Sequence, residues 1–249
     1  MHRFYLRTDA GVGDIVALSE DDSHHAARVL RMAEGDSVEI LDGSGRCLGG
    51  RVLEVHKRAT RVRVASEARR PAPPRVVLAP SWIKGKAMDF LVQKATELGV
   101  ARLSPLMTER AVVKASPEEG PKRVDDWTRT AVEACKQCGN PWMPRIDEPM
   151  SLGRFLATRS PGLLLVASLR ADSMSLRRVL DAAGPGDDDV ALVLGPEGDF
   201  TPSEEDSLRA EGARPISLGP LVLRAETAAI AGLAMIQYEL SLRRDQAPT

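Results

Sequence analysis

The sequence "LVLGPEGDF", Leu192 to Phe200, joins an apolar run to a Gly-Pro-Glu-Gly turn. A short apolar run that ends in glycine and proline is typical of a buried strand, and glycine turns after strands often cradle phosphates. This turn carries an acid and no lysine, and neither GxGxxG nor GxxxxGK[ST] is present. Pro196 lacks an amide donor, and Glu197 repels phosphate. The turn therefore favours a ligand with little negative charge and with polar ring atoms, which loop amides and carbonyls can bind.

A second turn of the same form follows about twenty-five residues later, in "SLGPLVLRAETA", Ser217 to Ala228. A third apolar run ends in "VASLR", Val166 to Arg170. Open α/β sheets bind ligands at the carboxyl ends of their strands. An acid beside such loops tolerates a cationic ligand, and S-adenosylmethionine combines an adenosine with a sulfonium. For any one loop alone, an ordinary strand–helix turn is the better explanation.

The segments around these turns alternate between strand and helix patterns. Strands are predicted at "RVVLAP", "ARLSPLM", "GLLLVAS", "VALVLG" and "RPISLG". Helices are predicted at residues 85–98, from Ser116-Pro117-Glu118-Glu119 to about Lys136, and near 175–183 and 203–211. This alternation indicates an α/β fold with a parallel sheet covered on both faces.

The segment "RRPAPPR", Arg69 to Arg75, marks a domain boundary, because its prolines stop helices and inner strands. The sequence divides there into a domain of residues 1–70, a linker at 71–75 and a domain of residues 76–249. The alternating "SVEILD" and "TRVRVAS", a glycine turn in "LDGSGR" and one helix near Ser19 to Met32 predict a small β-barrel for the first domain. Ser19 can cap this helix, and Ala26, Val29 and Leu30 give it one apolar face.

The composition excludes several classes of protein. The chain has 249 residues, a net charge of −1 and no stretch near the roughly 20 apolar residues of a membrane span. Its N-terminus, "MHRFYLRTDAGVGD", lacks an apolar signal core, so we expect a cytoplasmic protein without membrane contact. Cys135 and Cys138 form a lone CxxC with no second pair, which favours two part-buried thiols over a metal or redox site. No metal is expected.

The last predicted helix, roughly Ala225 to Arg243, is apolar or small on all sides in "TAAIAGLAMI". A helix without a polar face needs burial all round, as a central helix or at a subunit interface. We expect a homodimer that uses this helix.

Basic residues concentrate in one strip, where residues 57–75 hold seven cations against Glu67. Such a strip can bind a polyanion even on a neutral protein, although a solvated strand face explains it equally well. The candidate contacts to such a polyanion, RNA in particular, are Arg31, Arg61, Arg63, Lys84, Lys86 and Arg110. A solvated helix start explains the two lysines equally well.

Taken together, "LGPEGDFTPSE" and "LGPLVLRAETA" resemble the signature of the RsmE family of SPOUT RNA methyltransferases. "HRFY", "HHAARVLRMAEGD", "KGKAMDFLVQKATELGV", "PLMTER" and "WTRTAVEACKQCGNPWMP" extend the resemblance over most of the chain. The resemblance implies a PUA-like RNA-binding β-barrel followed by a SPOUT α/β domain with a deep C-terminal trefoil knot. It also implies a homodimer that uses S-adenosylmethionine to methylate N3 of a uridine in small-subunit (16S) ribosomal RNA.

The resemblance assigns the cofactor pocket residue by residue. The implied residues are Ser168, Leu169, Leu194, Gly195, Pro196, Glu197, Gly198, Leu218, Gly219, Leu223 and Arg224. Two positions depart from the family. Asp199 stands where a second glycine is common, and aspartate tolerates the left-handed conformation that the turn needs. Asn140 stands near the place of a common arginine, so any contact of that arginine is in doubt.

Methylation of uracil N3 needs help, because the neutral nitrogen is a poor nucleophile. Arg224 is the candidate to stabilise the uracil anion or its phosphate, and Glu226 is the candidate proton acceptor. The alternative is structural: Arg224 pairs with Glu226 or Glu197, and Glu226 caps the final helix. Two other functions stay open, a ribose 2′-O methyltransferase of the same superfamily and a noncatalytic RNA-binding ribosome assembly factor.

Overall fold

The computed structural model describes residues 1–111, 119–170, 172–183 and 189–246. They form two compact units. The first contains residues 1–72 together with residues 132–143, and the second contains the other described residues. The division predicted from the sequence falls in the proline-rich segment and did not anticipate that residues 132–143 belong to the first unit.

The first unit is built on a curled five-stranded sheet. Its elements are β1 (His2–Tyr5), β2 (Ile15–Ala17), α1 (Glu20–Arg28), β3 (Ser37–Leu41), β4 (Arg46–Glu54) and β5 (Arg61–Arg69). The strand order is β1-β3-β4-β5-β2, with β1 parallel to β3 and the other pairs antiparallel. Phe4, Ile40, Leu48 and Val62 are fully buried in its core.

Helix α1 begins as predicted and ends early. The Ser19 hydroxyl accepts a hydrogen bond from the Asp22 amide at 3.1 Å, which confirms the predicted cap. The predicted end at Met32 is wrong, because the helix stops at Arg28 and Arg31 adopts a left-handed φ of 51°. Val29 is therefore exposed and does not lie on the apolar face that the sequence predicted.

Strand β3 departs from the predicted alternation of buried and exposed residues, because Val38 to Leu41 are all buried. Glu39 is the polar residue of this run. Its carboxylate accepts hydrogen bonds from Arg3 at 2.8 Å and Arg70 at 3.5 Å. Paired acids can be buried, and these two guanidinium groups supply the pairing.

The second unit is built on a parallel sheet that has seven strands in the described part of the chain. Its strands are β6 (Arg75–Pro80), β7 (Arg102–Leu103), β9 (Arg145–Ile146), β11 (Leu163–Ala167), β12 (Met174–Ser175), β13 (Asp189–Leu194) and β14 (Arg214–Ser217), in the order β12-β14-β11-β13-β6-β7-β9. The predicted strand "ARLSPLM" is split into β7 and β8 (Leu106–Met107), and β8 pairs with β10 (Met150–Ser151). The predicted parallel α/β sheet is confirmed.

Helices connect these strands. They are α2 (Lys86–Glu97), α3 (Glu119–Cys138), α4 (Leu152–Thr158), α5 (Leu176–Ala183), α6 (Pro202–Ala210) and α7 (Ala225–Gln246). Most of the predicted start of α3, at Ser116 to Glu118, lies outside the described residues. Helix α6 begins with a reciprocal capping box between Thr201 and Glu204. Within the described ranges, no helix is both long enough and apolar enough to span a bilayer.

Helix α7 packs on the sheet and on α2, and part of its surface is exposed. A Cβ on Gly232 would lie 2.7 Å from the Leu192 side chain, so glycine permits the close approach of α7 to β13. Met235, Tyr238 and Leu242 are exposed on this helix. The sequence predicted burial all round, whereas these three apolar side chains face outward in the isolated chain.

Candidate functional site

Three loops meet at one edge of the parallel sheet. Strand β11 lies between β14 and β13, so the carboxyl ends of these three strands are neighbours. The Ser168 amide after β11 donates to the Ile216 carbonyl of β14 at 3.0 Å. Val166 of β11 is paired with Val193 of β13. Sheet order therefore brings together the segments that the sequence had identified one by one.

A cavity of about 130 Å³ lies among these loops and the start of α7. Most of the residues predicted to bind a cofactor line it, namely Ser168, Leu169, Leu194, Gly195, Pro196, Glu197, Leu218, Gly219 and Leu223. Gly198 and Arg224 do not. The lining also contains residues that were not predicted to bind, which are Ala167, Asp199, Leu221, Val222, Ala225 and Ala228. Two of them could have been found from the sequence, because Leu221 and Val222 are large apolar residues that follow a Gly-Pro turn. Both side chains are exposed in the structure.

The cavity lining is acidic. Among the described lining residues, the ionisable side chains are those of Glu197 and Asp199, and there is no lysine or arginine. Both acids are exposed at the mouth. A carboxylate attracts a cation and repels a phosphate, so the charge of the cavity fits a cationic ligand.

The Gly-Pro-Glu-Gly turn closes with a hydrogen bond from the Asp199 amide to the Pro196 carbonyl at 2.9 Å. Asp199 adopts a φ of 60°, and its carboxylate accepts from the Phe200 amide at 2.8 Å. The prediction that aspartate tolerates the left-handed conformation here is confirmed. A Cβ on Gly195 would lie 3.3 Å from the Asp199 carboxylate and from the Phe200 ring. Glycine at this position therefore allows the turn to be compact.

Arg110 does not line the cavity, but it stabilises the Gly-Pro-Glu-Gly turn through hydrogen bonds. Its guanidinium donates to the Gly198 carbonyl at 2.8 Å and to the Phe200 carbonyl at 3.3 Å. The neighbouring Glu109 amide donates to the Glu204 carboxylate at 2.9 Å. These bonds hold the turn against residues 109–110 and α6. Contact of Arg110 with RNA stays a prediction, and the structure adds a positioning role that the sequence did not reveal.

Arg224 and Glu226 lie at the start of α7, next to the lining residue Ala225. Arg224 is exposed and Glu226 is half-buried. With the rest of the described chain, neither side chain forms a hydrogen bond or an ion pair within normal distances. The structural alternative predicts that Arg224 pairs with Glu226 or Glu197 and that Glu226 caps the helix. None of these bonds is found among the described residues. Both groups are available for a substrate.

Lys84 and Lys86 are exposed on either side of Gly85, just after β6. The Ser81 amide of the same loop donates to the Leu194 carbonyl at 2.8 Å. The loop therefore leaves the sheet at the same edge as the cavity, although neither lysine is among the lining residues.

In the first unit, the RNA candidates Arg31, Arg61 and Arg63 are all exposed. Arg63 of β5 lies opposite Arg51 of β4 in the antiparallel register. The two guanidinium-bearing residues lie side by side on adjacent strands, which gives the sheet a basic strip.

Asn140, the second departure from the family pattern, has a local structural role. Its side-chain oxygen accepts a hydrogen bond from the Trp142 amide at 3.0 Å. The Trp142 indole donates to the Pro71 carbonyl at 3.0 Å. Asn140 therefore shapes the turn that positions Trp142 within the first unit.

Two tryptophans and one of the two CxxC cysteines are packing residues, whereas the expectation of two part-buried thiols is met by neither cysteine. Trp82 and Trp127 are buried edge to face with ring centres 5.7 Å apart. Cys135 is buried and Cys138 is exposed. Burial raises the pKa of the Cys135 thiol to about 12, so this thiol is protonated at neutral pH and is a poor redox nucleophile.

Comparisons with known proteins agree with this architecture. Residues 70–237 match the profile of a family described as an RNA methyltransferase domain. Residues 18–62 match the profile of an RNA methyltransferase PUA domain.

Curated relatives match over nearly the whole chain. The Ribosomal RNA small subunit methyltransferase E of Synechocystis is 32% identical and aligns with 94% of this chain and 77% of its own length. The protein of the same name from Bacillus subtilis is 28% identical and aligns with 92% of this chain and 91% of its own length.

Solved structures are similar over both units. A Legionella pneumophila protein in complex with the bound cofactor SAM has a TM-score of 0.86 and 35% identity, over 95% of this chain and 97% of its own. The Neisseria gonorrhoeae Ribosomal RNA small subunit methyltransferase E bound to S-adenosyl methionine has a TM-score of 0.86 and 28% identity, over 96% of this chain and 98% of its own.

Proposed function

The chain belongs to the RNA methyltransferase family, and from this membership we propose that it transfers the methyl group of S-adenosylmethionine to N3 of a uridine in small-subunit ribosomal RNA. Relatives that are named ribosomal RNA small subunit methyltransferases support the substrate class. Similar structures that hold S-adenosylmethionine support the cofactor.

The observation that carries the proposal is the acidic cavity at the carboxyl edge of the sheet. It has apolar walls from residues such as Leu218 and Leu223, suited to an adenine ring, and loop backbone that can bind the polar edge of the ring. Glu197 and Asp199 suit a sulfonium. We propose that the eleven residues assigned by resemblance bind this cofactor, with Gly198 and Arg224 acting from just beyond the lining.

S-adenosylmethionine supplies an electrophilic methyl group when it is bound. The proton on uracil N3 must leave before or as the N3–methyl bond forms, while the sulfur–methyl bond breaks and sulfur keeps the electron pair. We propose that Glu226 accepts this proton and that the Arg224 guanidinium stabilises the negative charge on the uracil. Their lack of bonds to other described side chains supports both roles.

We further propose that the first unit binds ribosomal RNA through its basic strip, with Arg31, Arg61 and Arg63 as contacts. Lys84, Lys86 and Arg110 lie in the second unit and are proposed to contact RNA phosphate there. Such contacts predict that affinity falls steeply with salt concentration. Ribosomal RNA as substrate implies action in the cytoplasm.

A homodimer and a C-terminal knot complete the proposal. The exposed Met235, Tyr238 and Leu242 recur at helical spacing on α7, which supports a subunit interface on that face. Light scattering of native protein and of Tyr238→Asp tests the dimer: we expect twice the chain mass for the first and a monomer for the second. A monomeric native protein contradicts it.

The knot makes a separate prediction. Threading α7 through a loop predicts slow refolding from urea, and complete refolding within milliseconds contradicts the knot.

The function is tested on small ribosomal subunits from a strain that lacks the enzyme. Subunits incubated with the protein and S-adenosylmethionine are digested, and the nucleosides are identified by mass spectrometry. We expect 3-methyluridine to appear only when protein and cofactor are both present.

Two other products define the alternatives. A 2′-O-methylated nucleoside in place of 3-methyluridine identifies a ribose methyltransferase. Absence of any methylated product, together with no heat of S-adenosylmethionine binding in titration calorimetry, identifies a noncatalytic assembly factor.

A further inference from the structure

The opposite edge of the parallel sheet contains a second cavity, of about 260 Å³. It lies where β6, β7, β9, β11 and β13 begin, within the second unit. The loop from Ser160 to Gly162, which follows α4, forms one wall. Gly162 has a φ of 142°, and a Cβ there would lie 2.3 Å from the Asp189 carbonyl. Glycine thus allows this wall to pack directly on the backbone at the start of β13.

Four arginines line this cavity, from three strand starts and the end of α4. They are Arg75, Arg102, Arg145 and Arg159. The carboxylates near them are those of Asp147, Asp189 and, at the rim, Glu211. Among the residues that the structure describes, the four arginines outnumber these three carboxylates, so the described lining is basic. Its charge is opposite to that of the cavity at the carboxyl edge.

The pairing with Asp147 leaves part of two guanidinium groups free. The Asp147 carboxylate accepts from the Nε of Arg102 at 2.5 Å and from the Nε of Arg145 at 2.9 Å. Ser104 donates to the same carboxylate at 2.6 Å. Within the described residues, the terminal nitrogens of Arg102 and Arg145 form no hydrogen bond. A guanidinium fixed through Nε still presents two terminal nitrogens, which bind oxyanions well.

Arg159 has the most deeply buried side chain of the four. Its side chain is only 15% exposed, and its Nε is a buried donor without a partner in the part of the chain that the structure describes. Its terminal nitrogens reach the carbonyls of Ser160, Gly162 and Glu211 at 3.3 to 3.4 Å, which are long hydrogen bonds. A buried charged donor with weak partners is costly, and an oxyanion is the ligand that satisfies it.

We propose that this arginine-lined cavity is a phosphate-binding site, distinct from the cofactor cavity at the other edge of the sheet. The phosphate group belongs either to a free phosphate-bearing solute or to the RNA backbone. Both sources present the same oxygens to the arginines, and the experiment below separates them.

The test titrates inorganic phosphate into the full-length protein by calorimetry, at an ionic strength held constant with chloride. Arg159→Gln and Arg145→Gln remove one guanidinium each, the first buried and the second exposed. Arg154→Gln is the matched control, because Arg154 is exposed on the same helix α4 and does not line the cavity. Thermal denaturation followed by circular dichroism checks that each variant is folded.

We expect saturable phosphate binding by the native protein and by Arg154→Gln. Each cavity variant should bind phosphate roughly tenfold more weakly, because it loses one charge-assisted hydrogen bond to the anion. Native protein that shows no heat beyond the chloride control overturns the proposal. Equal phosphate affinity in Arg159→Gln, Arg145→Gln and Arg154→Gln overturns it as well, because the anion then binds elsewhere.

A fluorescein-labelled oligouridine separates the two sources by anisotropy. If the RNA backbone is the ligand, both cavity variants bind the oligouridine more weakly and inorganic phosphate competes with it. If the ligand is a free solute, oligouridine affinity is unchanged while phosphate affinity falls. Methyl transfer is not a readout, so failure here leaves the proposed function untouched.

Discussion

The two edges of the second unit's sheet differ in charge, although the same strands build both. At the carboxyl edge, Glu197 and Asp199 line a cavity whose described lining has no lysine or arginine. At the amino edge, four arginines line the other cavity. A parallel sheet aligns all strand starts on one side and all strand ends on the other, so short segments distant in sequence can build two sites of opposite charge. The difference teaches that a nearly neutral chain can place an acidic cavity and an arginine-lined cavity at opposite ends of the same strands.

Arg224→Ala tests the carboxyl edge most severely. Removing a group that stabilises developing negative charge should lower kcat by about 100-fold or more, with the Kd of S-adenosylmethionine changed far less. Single-turnover methyl transfer and calorimetry measure the two quantities. Arg154→Ala, on the exposed face of α4, is the control. Unchanged turnover in Arg224→Ala removes this residue from the mechanism.

Gly219→Val tests the backbone of the third loop. Gly219 has a φ of 124°, where side chains are strained, and a Cβ there would have nothing within 4 Å. Strain of about 1–3 kcal/mol should distort the loop and weaken cofactor binding by roughly 5- to 150-fold. Gly153→Val is a comparison, since Gly153 has no left-handed φ and equal open space. Equal cofactor affinity in the two variants would show that the loop conformation is unimportant for binding.

Arg110→Gln separates positioning from RNA contact. Loss of the bonds to the Gly198 and Phe200 carbonyls should weaken S-adenosylmethionine binding roughly tenfold, without RNA in the assay. Lys84→Gln, at the same edge, should weaken only RNA binding. If Arg110→Gln binds the cofactor normally and loses RNA affinity, Arg110 is an RNA contact alone.

Glu197→Gln tests the charge of the cavity, and its expected effect on cofactor binding is the smallest of the four substitutions. Removing an exposed carboxylate should weaken binding of the sulfonium cofactor about fivefold, because the attraction is about 1 kcal/mol near a surface. S-adenosylhomocysteine lacks the sulfonium charge, so its affinity should change little. Competition calorimetry gives both values, and equal losses for the two ligands would mean that Glu197 acts by shape and not by charge.

Local sequence signals predicted much of this fold correctly. The Ser19 cap, the strands "VALVLG" and "RPISLG" and the helices after them follow from residues that are adjacent in the chain. The burial of one strand residue was predicted wrongly because it depends on distant partners. Glu39 is buried in β3 because Arg3 and Arg70 reach it, and no local pattern reveals such pairing.

The sequence by itself determined the chemistry of each loop: the glycines that bend it, the acid that excludes phosphate and the residues that resemble a methyltransferase family. Only the tertiary structure decided which loops meet, because strand order depends on pairing between distant segments. It placed β11 between β13 and β14, and it brought Arg102, Arg145 and Arg159 to one cavity. Short-range steric effects and hydrogen bonds depend on residues that are adjacent in the chain. A site, by contrast, forms only when the strands and helices of the whole sheet pack together.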